Sequence, residues 1–506
     1  MHSFNMSPEM ELLIRCSGFN FSTSNMSRIR ELQHAKINWH LLLWFARWHR
    51  VELQLYHCFK QNEDGLIPET IMNSLQHVTH AHTHNNLFMQ RELLNLLKLL
   101  KSHQVTAVPV KGPLMASILS KDKFYYQSGS IHLILLRQNV PVVKDILGNE
   151  GYIKIGRSTF SHSGKRTVVK IHSSLTNSIV TSKNESFRNR LVTFKIGPDE
   201  YVSLSPVDHL LFLCISGARK HWARIGLVSE LSGFVQSNKE LNWPLLLKEA
   251  RVLQAKRILL SGLQLGSQLM GLSIPSLIYK ESAEDKAIKK ITRLSVKLLA
   301  NTGKRAVNNV EFLYYQTSLR KGIKDKLIYS RNFLRKLRFQ NKMRRPHLLY
   351  GPRGLAEFVP TSPEIVERML ELAEAGPQDR LYDLGSGDGI IVITAAKKIG
   401  LRSVGIEMNP ALIEKAKVKA EAEGVSHLVS FVEQDVLTAD FSSATIITSY
   451  LRSFGNKKLL PHFRKQLKPG IRIITCDFSI PGLLPEKCVI VENGVRYVTY
   501  LYLWTL

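Results

Sequence analysis

The C-terminal third of the chain alternates apolar segments of strand length with segments of helical periodicity, and this alternation constrains the fold more than any other feature. Strands are predicted at 381–384, 403–407, 429–433, 444–448 and 471–476, with helices at 390–399 and 411–423. Such alternation is typical of an α/β fold with a doubly wound parallel sheet. Residues 487–492 and 495–504, joined by Asn493-Gly494, predict a hairpin with a type I′ turn. The hairpin would complete a Rossmann-like, seven-stranded sheet with an antiparallel edge.

Charge is distributed unevenly along the chain. The 506 residues include 69 Lys and Arg against 41 Asp and Glu, a net charge of +28. Residues 346–506 contain 18 of each sign, so residues 1–345, with 51 basic and 23 acidic residues, carry the whole excess. This asymmetry predicts two domains with different partners. A basic surface attracts polyanions such as nucleic acid, acidic polysaccharide, phosphate groups or anionic lipid.

We therefore expect an N-terminal domain over 1–345, a linker rich in Pro and Gly over 346–354, and a C-terminal domain over 355–506. The N-terminal domain ends in a basic tract, 318–345, which holds 11 Lys or Arg and one acid. Apolar residues recur at helical spacing in this tract, which predicts an amphipathic helix packed on the domain. A dedicated contact with a polyanion or a membrane surface is the alternative.

Signals for export, membrane insertion and metal binding are missing from the sequence. No apolar run reaches the ~18 residues of a spanning helix, and the first 20 residues do not resemble a signal peptide. The five cysteines form no CxxC motif, which argues against a disulfide framework or a cysteine zinc site. His77, His80 and His84 have a spacing that suits Zn²⁺, but the segment is polar and no acid is nearby in sequence. We expect a solvated helix face there, no bound metal, and a cytoplasmic protein.

A glycine-rich turn follows the first predicted C-terminal strand, in the sequence DLGSGDG from Asp383 to Gly389. Glycines let the backbone approach a ligand closely, and the N-terminus of the next helix faces that ligand. An NAD site would favour GxGxxG. Glu407 ends the second strand, where a carboxylate can accept from both ribose hydroxyls, and Asp435 follows the third, near an adenine amino group. This pattern of acids favours a positively charged sulfonium nucleoside over a pyrophosphate.

Residues 355–506 resemble a class I S-adenosylmethionine-dependent methyltransferase. The segments FVPT at 358–361, YDLGSGDG at 382–389 and GIEMNP at 405–410 are similar to the ATP synthase c-subunit lysine methyltransferase family and its bacterial relatives. The resemblance implies S-adenosylmethionine as cofactor. The residues that it implies for cofactor binding are Asp383, Gly385, Ser386 and Gly387 at the methionine part, Glu407 at the ribose, Asp435 at the adenine side, and Thr361 and Glu364 closing the site.

The methyl acceptor is less well defined by the sequence. The relatives usually have Arg where this chain has Ile390, and the fourth strand ends in TSYL without the [DN]PP[YFW] motif of adenine and glutamine methyltransferases. Transfer from a sulfonium is an in-line displacement in which the protein aligns the nucleophile and can supply a general base. Tyr450 and Asp477 are the best-placed candidates. A protein acceptor, with lysine as one option, and a small or glycan-linked acceptor both stay open.

The N-terminal part is predicted to be α+β and largely helical. Helices are predicted at 30–103, 114–119, 140–150 and from Ser205 onward, and strands at 105–110, 130–136, 166–172 and 191–196. Residues 35–275 resemble a family of uncharacterised nucleotidyltransferase-like proteins, through Val110-Lys111-Gly112 and the helical segments after Ser205. Nucleotidyl transfer needs carboxylates that hold Mg²⁺.

The expected carboxylates are replaced in this chain. Ser130, His132 and Lys170 stand at the acidic positions, Tyr126 stands in place of an Arg, and His172 remains. We therefore expect an inactive relative that binds the substrate or a partner. RNA methylation, with the basic part gripping RNA, is the alternative function. An active nucleotidyltransferase is disfavoured because the carboxylates are missing.

Overall fold

A computed structural model provides the structure of the protein. It describes residues 6–18, 23–61, 65–112, 129–156, 158–162, 164–165, 167–175, 186–196, 199–300, 302, 309–342, 358–492 and 497–506. Four predictions fall outside these ranges: the helix at 114–119, the position of Tyr126, the linker at 346–354, and the Asn493-Gly494 turn.

Helices make up most of the N-terminal part. The helices there are α1 (Pro8–Cys16), α2 (Thr23–Gln33), α3 (Trp39–His49), α4 (Glu52–Lys60), α5 (Glu69–Ser102), α6 (Val140–Asn149), α7 (Pro206–Arg219), α8 (Ile225–Ser237), α9 (Trp243–Val252), α10 (Lys256–Met270), α11 (Ser276–Ala283), α12 (Lys286–Ala300), α13 (Asn309–Ser318) and α14 (Ile323–Lys342). Those of the C-terminal part are α15 (Pro363–Leu372), α16 (Ile390–Ile399), α17 (Pro410–Ala422) and α18 (Ser453–Gln466). Ser205 caps α7 by accepting from the Asp208 amide, as the Ser-Pro pair predicts.

The strands form three sheets. They are β1 (Ala107–Lys111), β2 (Ile131–Leu135), β3 (Ile153–Gly156), β4 (Thr159–His162), β5 (Thr167–His172), β6 (Val192–Ile196), β7 (Asp199–Ser203), β8 (Arg380–Leu384), β9 (Arg402–Glu407), β10 (Val429–Glu433), β11 (Ile446–Ser449), β12 (Arg472–Cys476), β13 (Lys487–Glu492) and β14 (Val498–Thr505). The N-terminal part holds a five-stranded sheet, in the order β1-β2-β5-β4-β3, and the hairpin β6-β7.

The C-terminal sheet has seven strands in the order β10-β9-β8-β11-β12-β14-β13, which confirms the predicted fold class. The first five are parallel, and β14 pairs antiparallel with β12 and with β13. The central strand β11 is buried at every residue, as expected for a parallel strand covered on both faces. The carboxyl ends of the parallel strands therefore meet at one edge of the sheet, where the glycine-rich turn lies.

The helices α3 and α4 of the N-terminal part pack against the closing hairpin of this sheet. The buried Tyr500 hydroxyl donates to Glu52 Oε1 at 3.0 Å, and the guanidinium of Arg47 lies 4.2 Å from the centre of the Tyr500 ring. His40 Nδ1 lies 3.1 Å from the Cys488 carbonyl oxygen. The two parts of the chain thus share a buried junction.

Other surface features differ from the expectations in detail. His77 is paired with Glu492 at 3.1 Å, so the helix face that carries it does have an acid nearby, contributed by β13. In the basic tract, Phe333 stacks on Phe312 of α13, while Leu327 is 66% exposed. The predicted amphipathic helix is therefore present as α14, with only part of its apolar side packed. Among the described residues, no helix is apolar enough over a sufficient length to cross a bilayer.

A core glycine of α7 provides a test of this packing. A Cβ on Gly217 would lie 2.4 Å from ring atoms of Trp222, which is fully buried. We expect Gly217→Ala to destabilise the protein by about 1–3 kcal/mol, because an overpacked core must shift. The control is Gly148→Ala on α6, where a Cβ meets nothing within 4 Å and helix propensity favours Ala by up to about 1 kcal/mol. Urea unfolding measures the free energy of unfolding of both variants. Equal stability of the two variants would contradict the close contact between Gly217 and Trp222.

Candidate functional site

The glycine-rich turn is fixed by backbone bonds to the neighbouring strand. Gly385 and Gly387 have φ angles of +86° and +53°, which side-chain-bearing residues rarely adopt. The amides of Gly385 and Ser386 both donate to the Ile406 carbonyl, at 2.9 and 3.0 Å. The turn is thereby held over the carboxyl end of β9, with the N-terminus of α16 behind it.

The centre of the turn requires glycine because a neighbouring ring packs closely against it. A Cβ on Gly387 would lie 2.5 Å from the ring of Phe358. The Ser386 hydroxyl is buried and has no hydrogen-bond partner among the described residues. A buried hydroxyl without a partner is a group that a bound polar molecule would satisfy.

Glu407 braces the turn from β9. Its Oε2 accepts from the Gly387 amide at 3.0 Å, and its Oε1 accepts from the amides of Met408 and Asn409 at 2.8 and 3.0 Å. A carboxylate offers about four lone-pair positions. Three backbone donors therefore leave Glu407 oriented and still able to accept from a hydroxyl.

Asp383, the last but one residue of β8, is 2% exposed. Thr448 Oγ1 donates to its Oδ1 at 2.8 Å. Burial raises the pKa of this carboxyl to about 7, with smaller contributions from the charges of Glu407 and Asp388, while the Thr448 hydrogen bond opposes the rise. A cationic ligand would favour the ionised form of Asp383 and lower its pKa again.

The other cofactor candidates lie around this turn with different contacts. Asp435 follows β10, is half-buried, and its Oδ1 accepts from the Leu437 amide at 2.9 Å, so it caps its own turn. Thr361 is half-buried just before α15. Glu364 is exposed in the first turn of α15, where hydrogen bonds from its own backbone amide and from Ser362 lower its pKa. The described contacts join neither Thr361 nor Glu364 to Asp383 or Glu407.

Tyr450 and Asp477 come together at the ends of β11 and β12. The Tyr450 hydroxyl donates to Asp477 Oδ2 at 2.8 Å, and the Tyr500 amide donates to Asp477 Oδ1 at 3.1 Å. Asp477 has a φ of +57°, an uncommon conformation for a residue with a side chain. Since neighbouring strands lie about 4.8 Å apart, Tyr450 is about one strand spacing, and Asp477 about 10 Å, from the end of β8, where the glycine-rich turn begins.

A second brace at this edge has no clear signal in the sequence. Ser449 Oγ donates to Asn456 Oδ1 at 3.2 Å, and Asn456 Nδ2 donates to the Phe478 carbonyl at 2.6 Å. These bonds tie the ends of β11 and β12 to α18. They keep Tyr450 and Asp477 at a fixed separation.

A cavity of about 340 Å³ lies between Asp477 and the N-terminal helices. Its opposite wall includes Arg47 and Trp48 of α3, Arg50 after α3, and Arg224 before α8. Sequence patterns do not indicate this wall, because its residues come from distant segments and match no local motif. The cavity brings basic side chains of the N-terminal part close to Asp477, a catalytic candidate of the C-terminal part.

The altered nucleotidyltransferase-type positions form a hydrogen-bonded chain without carboxylates. Ser130 Oγ lies 2.9 Å from His132 Nε2, and His132 Nδ1 lies 3.0 Å from His172 Nε2. Burial, followed by nearby cations, lowers the pKa of His172 to about 4, so the imidazole is neutral at pH 7. Lys111 is paired with Glu230 at 2.6 Å. No group of three or more potential metal ligands occurs in the part of the chain that the structure describes.

Comparisons with known families confirm both resemblances. A family model described as an uncharacterised nucleotidyltransferase matches residues 35–271, and one described as the ANTKMT methyltransferase domain matches residues 383–487.

Individual relatives match the C-terminal part. A protein-lysine N-methyltransferase of Saccharolobus islandicus is 40% identical over 147 residues, 29% of this chain and 91% of the relative. The ATP synthase c-subunit lysine N-methyltransferase of Rattus norvegicus is 34% identical over 135 residues, 26% of this chain and 59% of the relative. The crystal structure of an RNA methyltransferase from Salinibacter ruber with S-adenosylhomocysteine is similar over 29% of this chain and 93% of that one, at 45% identity and a TM-score of 0.28.

The buried carboxyl of Asp383 predicts a particular dependence of stability on pH. Its pKa of about 7 in the folded protein exceeds the unfolded value of about 3.9. The unfolded chain therefore releases this proton first, and the carboxyl lowers stability progressively as the pH rises from about 4 to 7, with the full effect above 7. We expect Asp383→Asn to be more stable than the wild type by up to about 4 kcal/mol above pH 7 and by little near pH 4.

Urea unfolding between about pH 4 and 9 measures this difference. Thr448→Val is the matched variant, because it removes the hydrogen bond that opposes the rise in the pKa of Asp383. In this variant the pH range over which stability falls should extend to higher pH. If the difference in free energy of unfolding between wild type and Asp383→Asn is constant across the pH range, the raised pKa of Asp383 is refuted.

Proposed function

The chain belongs to the S-adenosylmethionine-dependent methyltransferases, the family of the Saccharolobus islandicus protein, and from that premise we propose that it methylates an acceptor bound in the cavity between its two parts. The observation that carries the proposal is the position of the Tyr450–Asp477 pair. Asp477 lines this cavity, Tyr450 donates to Asp477, and both residues lie at the same edge of the sheet as the glycine-rich turn.

The residues of the turn fit the cofactor. Gly385, Ser386 and Gly387 would hold its methionine part, Asp383 would lie near the cationic groups, and Glu407 would accept from the ribose hydroxyls. Asp435 would border the adenine, and Thr361 and Glu364 would close the site from α15. Bound there, S-adenosylmethionine supplies an electrophilic methyl group and takes up the electron pair of the broken sulfur–carbon bond.

The chain's own residues would then align the acceptor and remove its proton. A nitrogen or oxygen atom of the acceptor forms the new bond to the methyl carbon, and the proton that it loses passes to the Asp477 carboxylate. Tyr450 holds that carboxylate through its hydroxyl. Positioning and a fixed base together account for most of what a methyltransferase contributes to such a displacement.

Two acceptor classes have support. The names of the Saccharolobus and rat relatives favour a lysine of a protein. The cavity favours a different acceptor, because Arg47, Arg50 and Arg224 would repel the ammonium group of a lysine and attract an anion. We rank a small or glycan-linked anionic acceptor first on this ground. RNA is the further alternative, which the charge of residues 1–345 supports.

The N-terminal part would serve as the acceptor-binding module. The boundaries 1–345, 346–354 and 355–506 are part of this proposal, and so is a cytoplasmic location. A wider polyanion contact through the basic tract 318–345 is compatible with the exposed positions of Arg331 and Arg335 on α14.

Cofactor binding is the first test. Calorimetric titration of S-adenosylmethionine should show binding that Glu407→Ala weakens by about tenfold or more, because a charged hydrogen-bond acceptor is lost. Binding should also tighten as the pH rises from about 6 to 8, because the cation favours ionised Asp383. Glu414→Ala is the matched control; its carboxylate is exposed on α17 and paired with Lys417. Equal loss in both variants, or no binding by folded wild type, would contradict the site.

Methyl transfer is the second test. Protein is incubated with methyl-labelled S-adenosylmethionine and cell extract separated into protein, RNA and small-molecule fractions. We expect Asp477→Asn to reduce incorporation by about 10²- to 10⁴-fold, the range for loss of a general base, without weakening cofactor binding. Asp440→Asn, an exposed carboxyl far from β12 in sequence, is the control.

Each result of this test bears on the proposal. Label in the small-molecule fraction supports the first-ranked acceptor, and label in lysine of the protein fraction supports the second. Undiminished transfer by Asp477→Asn would remove that residue from the mechanism.

A further inference from the structure

The two arginines that face Asp477 across the cavity are fixed to one another by their backbones. Arg50 ends α3 with a φ of +58°, and Arg224 precedes α8. The Ile225 amide donates to His49 Nδ1 at 3.2 Å. A Cβ on Gly226 would lie 2.7 Å from the His49 carbonyl oxygen, so only glycine allows this approach. The start of α8 is therefore locked against the end of α3, with both guanidinium groups entering one cavity.

These arginines have no carboxylate partner in the part of the chain that the structure describes. Within the described ranges, neither Arg50 nor Arg224 forms an ion pair with a carboxylate, whereas Arg47 has Glu52 at 3.7 Å. Arg224 lies over the ring of Trp48, 5.9 Å from its centre. Among the described residues that line the cavity, Asp477 is the one carboxylate. The wall opposite Asp477 thus carries an excess of positive charge.

The positive charge extends beyond the cavity wall. Burial, and then the charges of Arg50 and Arg47, lower the pKa of Arg224 to about 10. Burial and the charge of Arg50 also lower the pKa of Lys170 on β5. Cations that are held close together repel one another, and a bound anion would relieve that repulsion.

We propose that the cavity binds a phosphate group of a small-molecule acceptor, with Arg50 and Arg224 as the two phosphate-binding residues. The guanidinium group suits phosphate because it donates two parallel hydrogen bonds in one plane. A volume of about 340 Å³ is at the lower end of the range for small-molecule sites. The nucleophile of the same molecule then lies toward Tyr450 and Asp477. The nucleophilic atom of the acceptor receives the methyl group and gives its proton to Asp477.

This inference rests on the proposed function in one respect, that the acceptor enters this cavity. The N-terminal part would then bind phosphate through the side chains of Arg50 and Arg224, without a metal ion. The trio Ser130, His132 and Lys170, where a nucleotidyltransferase would hold metal-binding acids, adds no negative charge beside Arg50. Selection of the acceptor would therefore lie in the N-terminal part, and methyl transfer in the C-terminal part.

Binding of inorganic pyrophosphate to the full chain tests the phosphate site without an acceptor. Calorimetry at constant ionic strength should show binding that the double variant Arg50→Gln, Arg224→Gln weakens by about tenfold or more. Arg293→Gln is the matched control, because Arg293 is exposed on α12. Affinity for S-adenosylmethionine should be the same in all three proteins. Equal pyrophosphate affinity in all three, or none in the wild type, would overturn the proposal and leave the methyltransferase assignment intact.

Two further arms complete the test. If the double variant does not fold, Arg50→Gln alone is used, since Arg50 is exposed. This single variant should weaken pyrophosphate binding several-fold. An unchanged affinity would overturn the proposal. A single-stranded RNA that binds more tightly than pyrophosphate, and loses that binding in the arginine variants, would replace the small molecule with RNA.

The acceptor itself is tested with phosphatase. Treating the small-molecule fraction with phosphatase before the methyl-transfer assay should abolish incorporation of label. Incorporation that survives the treatment, or that occurs only in protein lysine, overturns the phosphate-bearing acceptor. Absence of label from every untreated fraction would instead count against the proposed function, which keeps the two failures distinguishable.

Discussion

The buried contact between Glu52 and Tyr500 determines how the two parts of the protein meet. Glu52 is 1% exposed and Tyr500 fully buried, so a carboxylate lies buried in the junction. A buried charge is strongly unfavourable unless hydrogen bonds and an opposite charge surround it. The Arg47 guanidinium, from the same part of the chain, provides the opposite charge, and the Tyr500 hydroxyl provides the hydrogen bond only when the closing hairpin lies against the N-terminal helices. Because both walls of the cavity adjoin these elements, the cavity exists only in that arrangement.

The convergence of the candidate site residues in the C-terminal part could be predicted because topology brings them together. In a parallel sheet all carboxyl ends lie at one edge. Residues that end successive strands, such as Asp383, Glu407 and Asp477, must therefore converge there, however far apart they are in sequence. The glycine-rich turn follows from the same argument, since a strand that turns sharply into a helix needs positive φ angles. The sequence reveals the strands and the glycine-rich turn because each is encoded by residues that are close together in the chain.

The contacts of these residues were not predictable in the same way. Asp435 follows β10 as predicted, but the hydrogen bond by which its Oδ1 caps its own turn is visible only in the structure. The strand β3 was not predicted from the sequence because Ile153–Gly156 is only four residues long, and the structure leaves its Ile153 and Ile155 exposed rather than in a core. The pairing of Arg50 with Arg224 depends on Gly226, whose role is visible only once α3 and α8 are packed.

Loss of the carboxylates changes more than metal binding in the N-terminal part. In a nucleotidyltransferase the acids and their Mg²⁺ ions largely neutralise each other, and the metal attracts the phosphates. Here Ser130 and His132 are uncharged at pH 7, because burial holds the pKa of His132 well below its usual range. The cations Lys170 and Arg50 are then left without counter-charge from that position. A fold that elsewhere needs a metal to bind phosphate can in this way attract phosphate with its own side chains.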